Sequence, residues 1–345
     1  MSEIAPFCAT TQVVVPSWTW RQKLRQVWRG LWTDPLSIGR RARGLMRTYI
    51  RRSVADHGVD VVQFEWTETG QFVDALRDLQ TVKILDEVDV SFRPLEHRAG
   101  QAGNLLHRAW LRRLSERRKR EELALCRSFD AILTRSDFDR NLLRDRLPDT
   151  TVETFGPWTH IAEFADIGAA ERQGGLLLFV GAMDREENCA AALYFYHRIF
   201  PRIRARKPAA EFWIAGANPP PAITQLAHDP GVTVTGFVED LKPLYARCNV
   251  FVAPLLVPGG IFNKILDAMG AGRPVVTTSL GNEGIAAPRD IAVRIADEPS
   301  TFADEVVTLM DDDALWRQVA EGGRCHVQRR YDWPANVARL EAMYE

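Results

Sequence analysis

The sequence predicts an α/β fold of two units, each built on a parallel sheet. Three observations predict it. Short apolar runs alternate with stretches of helical period along nearly the whole chain, which is the rhythm of βα units. Several runs, LLLFV at Leu176–Val180 among them, are almost wholly apolar, as strands covered by helices on both faces are. Charge also divides the chain. Residues 1–150 carry 26 Lys+Arg against 20 Asp+Glu, net +6, and residues 151–345 carry 18 against 25, net −7. A length of 345 residues accommodates two domains of ordinary size.

In the first half, TQVVVP at 11–16 reads as a strand, and 20–32 and 36–56 read as basic helices. Trp20, Leu24, Trp28 and Leu31 share one face of the first helix. VDVVQF at 59–64 is a buried strand, 72–79 a helix and 82–85 a strand. A long helix over 103–126 contains RRLSERRKREE and is followed by a strand at 130–133. Ser136, with Asp139 three residues on, caps the next helix, and a strand at 152–155 closes the half. The segment 156–175 reads as the linker.

The second half is more regular. Strands are expected at 176–180, 211–215, 232–236, 250–253, 275–278 and 292–295. Helices are expected at 188–207, 221–228, 241–247 and 261–270, with further helices to the end. In such sheets ligands bind beyond the carboxyl ends of the strands. The loops after Val180, Ala215, Gly236, Ala253 and Thr278 are therefore the functional candidates.

Several chemistries are excluded. There is no uncharged apolar stretch of about 18 residues to span a membrane. The start, MSEIAPFCATTQ, has no basic segment leading into an apolar one, so it does not read as a secretory signal. The five cysteines are scattered and lack CxxC spacing, which disfavours a disulfide framework or a zinc site. GxGxxG after a strand, GxxxxGK[ST], GxSxG and HExxH are all missing, and the seven histidines are isolated in sequence.

What remains is the loop and helix after the strand at 250–253, reading PLLVPGGIFNKILDAMGAGRPVV. Gly259 and Gly260 let backbone approach a ligand closely, and free N–H groups at a helix start suit a diphosphate. Lys264 adds a cation there. Asp267, three residues on, falls near the same face and can accept hydrogen bonds from a vicinal diol such as ribose. The alternative for these residues taken alone is an ordinary βα loop with a solvated Lys–Asp pair.

The pieces LLLFVGAMDREEN, EFWIAGANPPP, VTVTGFVEDLKPLYARCNVFVAPL and PGGIFNKILDAMGAGRPVVTTSLGNEGI follow one another over residues 176–285. In content, order and spacing they resemble the donor-binding domain of glycosyltransferase family 4. DVVQFEW, TVKILDEVDVSF, the RRKREE helix, FDAILTRSDFD and TVETFGPWTH resemble landmarks of that family's acceptor domain. The resemblance spans about residues 11–345. It implies the GT-B fold, with two Rossmann-like domains facing across a cleft. The division it implies is an acceptor-side domain at 1–160, a donor-binding domain at 161–330 and a C-terminal helix at 331–345.

Carried over position by position, the resemblance implies a donor site of Gly181, Arg185, Gly236, Phe237, Val238, Gly259, Gly260, Lys264, Asp267 and Glu283. Gly181 would turn beside the diphosphate, with Arg185 the nearest cation. Gly236, Phe237 and Val238 would run along the nucleobase. Asp267 would hold the ribose. Glu283 has an equally good reading as a structural residue. Gly259 stands where the family often has an acid, and Val88 where it often has a histidine near the transferred sugar. The family's opening strand and glycine-rich loop have no counterpart, so the acceptor domain is expected to lack its first βαβ unit.

The function implied is retaining transfer of a hexosyl-type sugar from a nucleoside-diphosphate donor to a glycan, lipid-linked or small-molecule acceptor, as in polysaccharide biosynthesis. The alternative is a non-catalytic relative that binds the donor as a partner subunit. No metal or other cofactor is expected, and no nucleic acid. The expected location is cytoplasmic, with peripheral membrane contact through the basic half, where Arg112, Arg113, Arg117, Arg118, Lys119 and Arg120 would face anionic lipid.

Overall fold

A computed structural model describes residues 40–344, apart from residues 158, 160, 165 and 169–171. The strand expected at 11–16, the helix at 20–32 and residues 36–39 lie outside the described residues. Helix α1 (Arg40–His57) leads into a parallel sheet of β1 (Val61–Glu65), β2 (Val82–Glu87), β3 (Ala131–Thr134) and β4 (Thr151–Thr154), in the order β1-β2-β3-β4. Its core gathers Phe64, Phe72, Leu85, Phe129 and Ile132. The rings of Phe64 and Phe129 meet edge to face at 5.7 Å.

Three local expectations differ here. A short helix α2 (Trp66–Gly70) follows β1, and the helix expected at 72–79 is a single 3₁₀ turn, Val73–Leu76. That turn buries Phe72, Val73, Ala75 and Leu76 at once, and the chain then leaves to start β2. Helix α3 (Arg93–Gln101) was not expected at all. Pro94 reads as a breaker but sits in the first turn, where its missing N–H costs nothing. Asn104 then accepts from the N–H groups of Leu106 and His107 and starts α4 (Leu105–Cys126) as a separate helix.

The basic run of α4 is also spent differently. Arg117 pairs with Glu121 at 2.7 Å and Lys119 with Glu96 at 3.2 Å. Arg118 turns inward to the Ser91 hydroxyl at 2.7 Å and Glu68 at 3.7 Å. Helix α5 (Asp137–Arg144) is capped by Ser136 as expected, whose hydroxyl accepts from the Asp139 N–H at 3.0 Å.

The second sheet comprises β5 (Leu176–Val180), β6 (Glu211–Ala215), β7 (Val232–Gly236), β8 (Val250–Ala253), β9 (Val275–Thr277) and β10 (Arg294–Ile295). All described pairings are parallel, and the order is β10-β9-β8-β5-β6-β7. This is the doubly wound order, and it reverses direction at β5. All five residues of β5 are buried, the reason its apolar run is unbroken. Helix α6 (Glu186–Tyr194) continues through a π turn, Phe195–Ile199, into Phe200–Arg204. Pro201 removes one ladder N–H and accounts for the break.

After α7 (Pro221–Thr224) and α8 (Lys242–Arg247), helix α9 (Asn263–Gly270) begins two residues later than expected. Gly259 and Gly260 are therefore loop residues that lie before its first turn. Helix α10 (Ser279–Glu283) follows β9. Helices α11 (Pro299–Asp311) and α12 (Asp313–Arg330) cover the sheet, and α13 (Trp333–Tyr344) returns to the first half. There Trp333 packs on Phe155 at 5.9 Å and the Tyr344 hydroxyl bonds Gln63. Arg330 pairs with Asp137 just before the return.

Candidate functional site

The reversal of strand order at β5 leaves a crevice where the β5 and β8 crossovers diverge, and the carboxyl end of β2 faces it from the other half. A cleft of about 380 Å³ lies between them, lined by Trp66, Asp89, Arg93, Arg185, Asn188 and Gly260 among others. Three contacts cross it. The Gly260 N–H donates to Asp89 Oδ1 at 2.6 Å. Arg93 pairs with Glu283. His97 Nε2 lies 3.1 Å from the carbonyl oxygen of Leu256.

This approach depends on glycine. A Cβ on Gly260 would lie 2.5 Å from Asp89 Oδ1 and 2.8 Å from the Val88 carbonyl oxygen. A Cβ on Gly284 would lie 2.0 Å from the Gly260 carbonyl oxygen. Three loops thus stack through two residues without side chains.

The floor is built at the end of β5. Lys264, in the first turn of α9, donates from Nζ to Asn188 Oδ1 at 2.5 Å, and Nζ sits 4.6 Å from the centre of the Phe179 ring. Asn188 Nδ2 in turn donates to the Ala182 carbonyl oxygen at 2.8 Å. A Cβ on Gly181 would lie 2.7 Å from Lys264 Nζ. Gly216 is equally confined, because its Cβ would meet the Gly181 carbonyl oxygen. Burial lowers the Lys264 ammonium to about 8, partly opposed by nearby Glu187 and reinforced by Arg185. Arg185 itself is exposed at the start of α6. A cation held in a dry, hydrogen-bonded seat beside glycine backbone is a ready partner for an anion.

The other expected residues are placed as follows. Asp267 is buried in α9, near enough to Tyr245 to add to the burial that drives that phenol up. Lys264 and Asp267 therefore have different neighbours and do not form one exposed pair. Gly236 ends β7 at φ +70°, with Phe237 75% exposed and Val238 half-buried after it. Two strands separate them from β8, about 10 Å from β5 at the usual strand spacing. Glu283 is engaged by Arg93, and Gly259 lines the cleft.

The sequence reading missed Asp89, Arg93, Asn188 and Trp66. Burial raises the Asp89 carboxyl, opposed first by the Gly260 N–H and then by Arg185, Arg135 and Arg93. Asp139, behind Arg93 at 3.8 Å, is pushed up to about 6 by burial against the Ser136 hydroxyl. Trp66 is held at φ +68°, a strained conformation for a bulky residue, and is 43% exposed on the cleft wall.

Residues 174–312 match the family model described as Glycosyl transferases group 1, a stretch that runs from β5 through α11. The chain is 27% identical over 281 residues, 71% of its length, to glycogen synthase of Mycobacterium tuberculosis, of which the match covers 61%. The curated relatives are spanned only in part, from 27% to 61% of their length. Among solved structures, sucrose-phosphate synthase of Thermosynechococcus elongatus superposes with a TM-score of 0.70 at 17% identity, over 89% of this chain and 79% of that one. HepE of Anabaena, solved with UDP and glucose, superposes with a TM-score of 0.65 at 12% identity, over 87% and 80%.

Proposed function

We propose that this chain, whose residues 174–312 form a group 1 glycosyl transferase domain within a GT-B fold, moves a sugar from a nucleoside-diphosphate donor to a hydroxyl acceptor with retention. The observation that carries the reading is the meeting of Gly181, Asn188 and Lys264 at the strand-order reversal with the Gly259–Gly260 loop. The diphosphate sits there, met by backbone N–H groups, Lys264 and Arg185, and no metal is needed to balance its charge. The ribose and base extend over β6 toward Gly236, Phe237 and Val238, with Asp267 on the ribose side. UDP bound in a neighbour of this fold supports such a donor.

The sugar then projects into the cleft between Gly260 and Asp89. An acceptor hydroxyl attacks the anomeric carbon from the face the diphosphate leaves. The new C–O bond forms as the bond to phosphate breaks, and the hydroxyl proton passes to the departing phosphate oxygen. Asp89 holds the Gly260 N–H, which a bound donor would take over. The sugar is of hexosyl type, and the acceptor, a glycan, a lipid-linked acceptor or a small molecule, packs on the Trp66 ring.

Calorimetry with UDP and GDP, followed by turnover of UDP- and GDP-sugars, tests this. Lys264→Ala and Asp267→Ala should each weaken binding by about 1–3 kcal/mol, the worth of a charged hydrogen bond. Trp66→Ala should raise the acceptor KM and leave donor affinity alone, and chelation should leave turnover intact. Equal affinity in the parent and both donor-site variants would remove the donor site from this crevice. Donor binding without turnover on any acceptor would instead support the partner-subunit reading.

A further inference from the structure

The hairpin of α3 and α4 presents an apolar tip that the cleft does not use. Leu105, Leu106 and Trp110 are 75%, 82% and 59% exposed. On α4 the buried stripe is Leu111, Ser115, Glu122 and Cys126, so the opposite face looks outward. In its first two turns that face is apolar, and in the next it carries Arg112 and Arg113, both exposed. Seven residues separate Leu105 and Leu106 from Arg112 and Arg113, about 10 Å along a helix. That matches the depth to which interfacial apolar groups enter a bilayer beneath its headgroups. Trp110 falls at the level where indole rings gather, between the acyl and headgroup layers.

Charge selects the occupant. Residues 97–115 hold four arginines and no aspartate or glutamate. A second copy of this face would repel the first, and a neutral apolar partner would leave the arginines unanswered. Anionic headgroups answer both parts of the surface. The patch is also continuous with the cleft. Arg98 lines the cleft on one side and, on the other, the hollow between the ends of α3 and α4 beside Trp110. Arg108 closes the hairpin turn by donating twice to the Ala102 carbonyl oxygen, at 2.9 and 2.7 Å.

We propose that the α3–α4 tip is the membrane-contact surface of this protein, with Leu105, Leu106 and Trp110 entering an anionic bilayer and Arg98, Arg112 and Arg113 on its headgroups. The expectation that Arg117, Arg118 and Lys119 serve this purpose is replaced, since acidic neighbours already engage them. The proposal deepens the transferase reading and rests on it only for the acceptor, which would reach the cleft past Arg98 from the bilayer.

The test is flotation of the full chain with phosphatidylcholine vesicles, with and without phosphatidylglycerol, over a range of salt. Binding should require the anionic lipid and weaken as salt is raised. Leu105→Ser with Leu106→Ser should abolish it. Arg112→Gln with Arg113→Gln should weaken it about twenty-five-fold, at roughly five-fold per arginine. UDP affinity should stay at the parent's value in both double variants, which shows that they are folded. A parent that does not float at low salt overturns the proposal, as do double variants that float like the parent. A dimer broken by the leucine changes would assign the face to a second copy and overturn it too. Loss of UDP binding by the parent, with flotation intact, would count against the transferase reading alone.

Discussion

At the scale of single residues, Lys264 is the most informative. It was readable from its place after two glycines at a helix start, but its partner was not, because Asn188 stands 76 positions earlier. Asp89 was hidden for the same reason, since only the folded chain brings it to Gly260, 171 positions on. Lys264 also makes the donor site pH-dependent with a definite sign. Its ammonium is lowered to about 8 in the free protein, and a bound diphosphate would hold the proton and raise that value again. Binding therefore takes up a proton above pH of about 8. UDP affinity should be level below that point and fall above it by as much as about ten-fold per pH unit. Calorimetry from neutral to alkaline pH, in buffers of different ionisation heat, would show the proton uptake. Lys264→Arg should flatten the profile, and an equally level profile in the parent would place the diphosphate away from Lys264.

At the scale of elements, legibility followed burial. Strands β5, β6, β7 and β8 have the bounds expected of them, because β5 and β8 are wholly apolar runs and β6 and β7 are short β-branched or aromatic runs between turn residues. The first half reads less well. Its crossover after β1 collapses into tight turns, and α3 carries in its first turn a proline that reads as a breaker. Capping was the exception, since Ser136 and Asp139 announced α5. The Ser136 hydroxyl accepts from the Asp139 N–H and donates to its carboxylate at 2.6 Å, and both side chains are buried. Ser136→Ala removes the cap and strands part of a buried carboxyl, so its cost belongs at the upper end of the capping range, about 2 kcal/mol. Urea denaturation should show that loss. A change within about 0.5 kcal/mol, the ordinary surface range, would mean that water replaces the hydroxyl there.

At the scale of the molecule, the two halves were legible as charge and rhythm, whereas their manner of connection was not. Sequence order could not show that β5 sits mid-sheet, or that the chain leaves the first half at β4 and comes back to it through α13. The return is well seated. Asn336 is buried against Gly156, Trp333 lies on Phe155, and Tyr344 reaches Gln63. Deleting residues 333–345 should therefore lower the melting of the first half and leave that of the second, whose core includes Tyr331 but no residue of α13, unchanged, separating one calorimetric transition into two. A single unshifted transition would show that α13 carries no load. Two crossings have a mechanical meaning as well. A body joined to another by one thread can swing and spin, while a body joined at two points keeps a single axis, the line between them. The segment 156–175 and the turn before Trp333 are two such points. Any opening of the cleft is thereby reduced to one rotation, which parts Asp89 from Gly260 and Arg93 from Glu283 together and returns both pairs to register when it reverses.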